Sequence, residues 1–320
     1  NLPRTRLGLA RWGVAPENPL TARVTINRFW QEIFGKGIVP SSEDFGIMGM
    51  PPTHPELLDW LAVEFRESGW NVKKFIRLLV TSRAYRQTAV TTPEKREKDE
   101  DNRFLSRGPR FRMDAEMVRD YALAVSGLLS TSTGGPGVKP YQPVNIWNLV
   151  GLPGGNTRDY KQDTGEKLYR RTIYSFWKRM AHPPNMEAFN APSREVCTVR
   201  RERTNTPLQA LVTMNDPQFV EAARSLAQRA LQASAGEEDS ATLDYIARRA
   251  LCRPLKPREV LILQACLSDH LTHYNENLTD AKALIKVGES KADPTLDPRK
   301  LAAWTMLCNQ VLNLDEVLNK

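Results

Sequence analysis

The stretch Asn18–Gly37, NPLTARVTINRFWQEIFGKG, decides the fold class. Asn18 is a capping side chain, and Pro19 suits the first helical position because the N–H it lacks would be unpaired there anyway. Leu20, Val24, Phe29, Trp30, Ile33 and Phe34 then share one face at helical spacing, and Gly35 and Gly37 end the run. The same grammar recurs along most of the chain. Thr53-His54-Pro55-Glu56 reads as a capping box for a helix through Leu57, Leu58, Leu61 and Phe65 that stops at Gly69. Asn71 caps the next, with Phe75, Ile76, Leu79 and Val80 inward, and Asp114 starts one over 115–129 that buries Met117, Tyr121, Val125 and Leu128. Past Pro207 the pattern predicts helices over about 207–214, 217–233, 241–252, 257–275 and 298–313.

Two stretches break this period. Residues 88–102 are polar and charged, which predicts a solvated loop or surface excursion. Between Ser130 and Gly165, GGPGVKPYQP (Gly134–Pro143) and GLPGG (Gly151–Gly155) impose turns. Leu168–Arg179, LYRRTIYSFWKR, suits one short strand, with a helix left open. The expected fold is mainly α: a multi-helix orthogonal bundle with a long irregular Gly/Pro-rich central insert and at most one or two short strands. Its expected parts are an N-terminal helical subdomain (1–129), an irregular basic segment (130–205) and a C-terminal helical subdomain (206–320), packed as one unit, with Gly236–Asp239 and Gly288–Asp297 as linkers.

At 320 residues, 41% hydrophobic and 26% charged, the composition is that of an ordinary globular chain, and no apolar run is long enough to span a membrane. It opens Asn1-Leu2-Pro3-Arg4, without a start methionine or signal peptide, so a piece of a longer polypeptide is expected. The net charge of +8 is uneven: Arg158–Arg203 holds 11 Lys and Arg against 6 Asp and Glu. That permits an acidic partner, but no helix-turn-helix, zinc finger or ribonucleoprotein motif supports nucleic acid. Cys197, Cys252, Cys266 and Cys308 form neither a CxxC pair nor a haem-attachment motif, so no cofactor is expected in this chain.

Several blocks taken together resemble one family. They are LPRTRLGLARW (Leu2–Trp12), ENPLTARVTINRFWQEIFGKGIV (Glu17–Val39), EDFGIMGMPPTHPELLDWLA (Glu43–Ala62), MDAEMVRDYALAVSGLL (Met113–Leu129), YRRTIYSFWKR, NDPQFVEAARSLAQR and the terminal AWTMLCNQVLNLDE. The chain resembles the PSD domain, a domain of unknown function in large planctomycete and verrucomicrobial proteins. The resemblance implies an extracytoplasmic location, periplasmic or at the cell surface, and proximity to sulfatases and polysaccharide degradation. It also implies an N-terminal partner domain in the same polypeptide, often with a cytochrome c domain, which would hold any haem. It brings no catalytic residues.

The residues themselves offer five candidates. Arg194, Arg200, Arg201 and Arg203, in REVCTVRRERTNTPLQ (Arg194–Gln209), could clamp a sulfate, phosphate or carboxylate beside the helix start at Thr206. Equally, they could pair internally with Glu195, Glu202, Glu116 and Asp120. Cys197 has the cationic surroundings of an activated thiol, although a buried packing role is the expectation. Lys139, Tyr141 and Gln142 combine a cation, an aromatic platform and an amide, as a ligand loop does, with Trp147, Tyr174 and Trp177 extending a sugar-stacking surface. An ordered loop anchored by its aromatics is the other reading. Glu116 and Asp120, i,i+4 on one helix, could do acid–base work, but salt bridges to Arg112, Arg170 or Arg171 are expected. His270 and His273 could hold a metal, yet a solvated face is expected; His54 serves packing or capping. The functional expectation is a binding module for an anionic, carbohydrate-like ligand at this Arg/Lys-rich centre, with any enzymatic activity left open. The alternative is a scaffold on the N-terminal domain with its arginines bridged internally.

Overall fold

The computed structural model describes residues 3–151, 153–154 and 158–319; the expected turn at Gly155 and the opening Asn1-Leu2 lie outside them. Contacts group the chain into two compact units, Asn1–Phe111 with Thr198–Arg200, and Arg112–Cys197 with Arg201–Lys320.

The first unit holds α1 (Arg6–Gly13), α2 (Thr21–Phe34), α3 (Pro55–Glu67), α4 (Val72–Thr81), α5 (Arg83–Arg86) and α6 (Pro93–Lys98). α2 starts two residues later than expected, with Leu20 rather than Asn18 at the N-cap, and Asn18 holds the turn before it, its Oδ1 accepting from the Leu20 and Thr21 amides at 2.9 and 3.0 Å. Leu20 itself stays exposed, and the buried stripe of α2 is Ala22, Ile26, Trp30, Ile33 and Phe34. Phe65 sits among Phe29, Trp70 and Phe75 at ring separations of 5.2 to 5.9 Å, edge-on or tilted as aromatic quadrupoles prefer. Asn27 is fully buried and bonds both ways with Val39, its Nδ2 donating to the carbonyl and its Oδ1 accepting from the amide. Gly37 passes so close that a Cβ there would lie 2.7 Å from the Asn27 amide nitrogen.

One local expectation fails here, and two short helices were not anticipated. Thr53 does not cap α3: its hydroxyl donates to the Ile38 carbonyl at 3.3 Å, and His54 becomes the N-cap residue, set edge-on to Phe104. Within the supposed loop 88–102, Thr92 caps the short helix α6 by accepting from the Lys95 amide. α1, absent from the expectation, begins behind Thr5, whose hydroxyl accepts from the Gly8 amide.

The second unit holds α7 (Ala115–Ser126), α8 (Pro184–Glu187), α9 (Pro207–Asn215), α10 (Pro217–Ala233), α11 (Asp239–Ala250), α12 (Pro257–Glu276), α13 (Leu278–Leu284), α14 (Pro298–Leu312) and α15 (Asp315–Leu318). α10 is its axis. Eleven of its 17 residues are buried, so it is a core helix wrapped on most sides rather than an amphipathic surface one. Ala222, Ala223, Ala227 and Ala230 on α10, with Ala302 and Ala303 on α14, are fully buried. These small side chains let the two helices approach closely while Leu226, Leu301, Trp304 and Leu307 fill the space around them.

No strand occurs among the described residues, only isolated bridges such as Ser130 with Arg170 and Val138 with Ser175. Leu168–Arg179 is therefore not the strand its composition suits; it carries 3₁₀ turns at Gly165–Tyr169 and Thr172–Tyr174. The reason lies on α7. The buried Arg119 guanidinium donates to the Leu168 carbonyl at 2.6 Å and to the Arg170 carbonyl at 2.8 Å. Asp120 Oδ1 accepts from the Thr172 amide at 2.7 Å. Side chains thus occupy the peptide groups a ladder would need. Burial draws the Arg119 pKa down to about 10. No described helix is long and apolar enough to cross a membrane.

Candidate functional site

The four guanidiniums of the Arg194–Arg203 segment go to four different places. Arg201 forks onto Glu116 of α7, reaching Oε1 at 3.2 Å and Oε2 more closely. Arg203 Nε faces Asp114 at 3.4 Å, with both side chains largely buried. Arg200, grouped with the first unit, lies 3.6 Å from Glu43, both well exposed. Arg194 adopts a left-handed backbone (φ 64°) and sets its guanidinium 4.4 Å over the Trp177 ring. Of the acids expected to balance them, Glu116 does so, while Glu195 and Glu202 are exposed. Cys197 is exposed as well, against the expectation of a buried packing residue, and lies in a stretch, Arg194–Thr198, whose every residue is exposed.

The remaining basic candidates hold the irregular segment together. Arg170 donates to the carbonyls of Pro136 (3.1 Å), Ser132 (3.4 Å) and Gly134, and stacks 3.9 Å from the Tyr174 ring. It nails down the Gly/Pro loop. Arg171 is exposed, 3.8 Å from Asp120. Asp120 serves mainly the Thr172 amide and hydroxyl. Arg112 donates to Gln209 at 3.2 Å, so of the three arginines expected on the α7 acids only Arg171 faces one. Lys139 packs 5.5 Å over Phe176 and 5.9 Å over Trp147. Trp147 is fully buried and cannot be a stacking platform, whereas Trp177 is half-buried beneath Arg194 with its N–H on the Ser193 carbonyl.

Tyr141 and Gln142 do meet an open surface. They line a groove of about 690 Å³ together with Leu208, Leu211 and Val212 of α9 and with Asn185, Asp216 and Pro217. That volume lies in the range of small-ligand sites. Asp216 caps α10, Oδ1 accepting from the Gln218 amide at 3.0 Å, and its Oδ2 accepts from Asn185 Nδ2 at 3.1 Å. Burial raises the Asp216 pKa above the usual carboxylate range, partly countered by the Gln218 amide. Both Gln142 Oε1 and Asn185 Oδ1 are buried without a hydrogen-bond partner.

A centre behind Tyr141 escaped the sequence reading. Glu221 of α10 is 1% exposed and accepts from the hydroxyls of Tyr141 (3.0 Å), Tyr169 (2.9 Å) and Ser290 (2.6 Å), and from the Ser290 amide. Arg224, equally buried, donates to the Ser290 carbonyl and lies 3.8 Å from Glu221. Gly288 (φ +89°) crosses over the carboxylate, where a Cβ would come within 2.3 Å of it. Burial, reinforced by Glu221, raises the Tyr169 phenol to about 12 and Tyr141 higher still. Both phenols are hydrogen-bond donors at neutral pH, holding loop to helix. The signal was present: Glu221 and Arg224, i,i+3, interrupt an otherwise apolar face of VEAARSLA.

His273 lies 4.0 Å from Asp280, and no group of three or more His, Cys, Asp or Glu able to hold a metal occurs among the described residues. No curated protein and no solved structure matched the chain. The family model PSD1, "Protein of unknown function (DUF1553)", matches residues 5–267, so the chain belongs to the PSD1 family.

Proposed function

We propose that this chain is a ligand-binding module of a larger exported protein, and that it takes a carbohydrate-like ligand in the groove between the Tyr141–Gln142 loop and α9. One observation carries the reading: an open groove of about 690 Å³ is lined by the apolar Leu208, Leu211 and Val212, by Tyr141 and by the amide residues Gln142, Gln162, Asn185 and Asn215. Sugars present that same mixture of C–H faces and hydroxyls. The basic centre supports the reading through construction. Arg170 pins the loop's carbonyls and Glu221 holds Tyr141, while Arg200, Arg201 and Arg203 are engaged with Glu43, Glu116 and Asp114. The family resemblance supports export and an N-terminal partner domain.

The test is saturation-transfer NMR with a panel of hexasaccharides on the chain and on Leu211→Trp. Leu211 is 58% exposed, so a larger ring there obstructs the groove without touching the core. Transfer to the chain that vanishes in the variant is the expected result. Transfer of equal strength in both would remove the groove from consideration.

A further inference from the structure

We infer that the first unit docks on an anionic lipid surface through a cationic ridge made by α4 and α5, a site independent of the groove. From Ser68 to Pro93 the chain carries five cations, Lys73, Lys74, Arg77, Arg83 and Arg86, and no Asp or Glu. The fold leaves all five exposed. α4 sinks Phe75 and Leu79 into the aromatic core of the first unit, and Ala84 and Tyr85 of α5 pack against the same cluster. Lys73 and Arg77, one helical turn apart, therefore stand on the side of α4 opposite that core. Lys74 has an acid of its own, Glu64, at 2.9 Å. The other four cations have no carboxylate partner among the described residues.

This reverses the situation of the Arg194–Arg203 segment, where Glu43, Glu116 and Asp114 each take a guanidinium. Unpaired charges of one sign on one face set up a field that draws an anionic partner, and no acid of the same stretch dilutes it. The surroundings of the cations select the kind of partner. They crown the outer side of a helix, a convex shape that suits a flat anionic surface, whereas a small ligand needs a concave site. Val72, Ile76 and Leu78 accompany them on α4 with 40, 40 and 36% of their surface in water. A bilayer takes both kinds of group at once: lipid phosphates meet the ammonium and guanidinium heads, and aliphatic side chains rest at the boundary of headgroup and acyl chain. A hydrated polyanion such as nucleic acid or an acidic polysaccharide offers those aliphatic side chains nothing.

Co-sedimentation of the chain with phosphatidylglycerol vesicles, against phosphatidylcholine vesicles, tests this. Binding to the anionic vesicles alone is expected, and it should fade as salt rises from about 0.05 to about 0.5 M. Each Lys or Arg near an anionic leaflet strengthens binding about fivefold, so Lys73→Gln with Arg77→Gln should weaken it about 25-fold, and Arg83→Gln with Arg86→Gln likewise. These side chains are exposed, so the substitutions leave the core untouched. Lys282→Gln with Lys286→Gln removes the same charge from exposed positions of the second unit and should bind as the parent does. Equal weakening in that control would overturn the inference, because net charge alone would then drive adsorption. No sedimentation with phosphatidylglycerol, equal sedimentation with phosphatidylcholine, or binding that ignores both ridge variants would overturn it too. Retention on heparin without any vesicle binding would hand the ridge to a polyanion instead and overturn the lipid assignment.

Discussion

The Arg194–Arg203 segment and the Glu221–Arg224 centre are both built from charge, and they differ in almost every physical respect. The first places four guanidiniums within ten residues, and they end up anywhere from exposed (Arg194, Arg200) to largely buried (Arg203), each with its own partner. The second has one acid and one base a helical turn apart, both 1% exposed, tied to two phenols and a serine. Density of charge along the chain reports on solvation far less than the apolar residues around a charge do. A run of arginines can be solvated or paired one at a time. A lone Glu–Arg step among alanines has nowhere to go but inward, and there every oxygen needs a donor.

The sharpest way to break this contrast is to remove Glu221. Glu221→Leu leaves Arg224 buried without its counter-charge and strips acceptors from Tyr141, Tyr169 and Ser290. A loss of about 3–5 kcal/mol is expected, the usual cost of orphaning one member of a buried pair. Urea unfolding of the variant measures it, and Glu221→Leu with Arg224→Met should recover part of the loss because no charge is then stranded. A single-variant cost below about 1 kcal/mol would mean the centre is wetter than its burial indicates.

The same contrast governs what could be read from the chain. Helices α2, α4, α9, α10 and α14 were legible because a capping or proline start stands at each beginning and an apolar period follows. α13 was not: Asn277 precedes it without any side-chain cap bond, and its seven residues bury only Ala281. Leu168–Arg179 misled because its conformation is set from outside by Arg119 and Asp120, some 50 residues earlier. Of the groove's lining, Tyr141 and Gln142 were marked from their loop. Asn185 and Asp216 were not marked as site residues, since their roles depend on where the 184–187 turn meets the start of α10.

Effects in the arginine segment should be graded by burial and geometry. Arg201→Met removes a two-pronged pair with Glu116, at 30% and 21% side-chain exposure, and should cost about 1 kcal/mol. Arg200→Met breaks a single 3.6 Å contact between side chains 55% and 53% exposed, and should cost less than about 0.5 kcal/mol. Raising salt from 0.05 to about 0.5 M should shrink whatever Arg200 contributes and leave most of the Arg201 effect, since exposed pairs are screened first. Equal costs for the two, measured by the same urea titrations, would show that sequence density and not burial sets their worth.

The smallest expected effect is a pH dependence on the surface of the second unit. Arg253 donates to both oxygens of Glu259 at 2.8 and 2.9 Å and also reaches Glu316 at 2.7 Å. Its hydrogen bond, with help from the Lys256 amide, lowers the Glu259 pKa from an ordinary 4.5 to about 2. A carboxyl whose folded pKa lies below its unfolded one binds its proton more weakly in the native state. Its contribution is therefore full above about pH 4.5 and disappears as the pH falls toward 2. Because the pair is largely solvated, the amplitude should be far smaller than that shift alone suggests. Comparing the chain with Glu259→Gln from pH 6 to pH 2.5, the two stability curves should lie apart at the upper end and converge at the lower. Curves that stay parallel throughout would mean that Arg253 holds Glu316 and contributes nothing through Glu259.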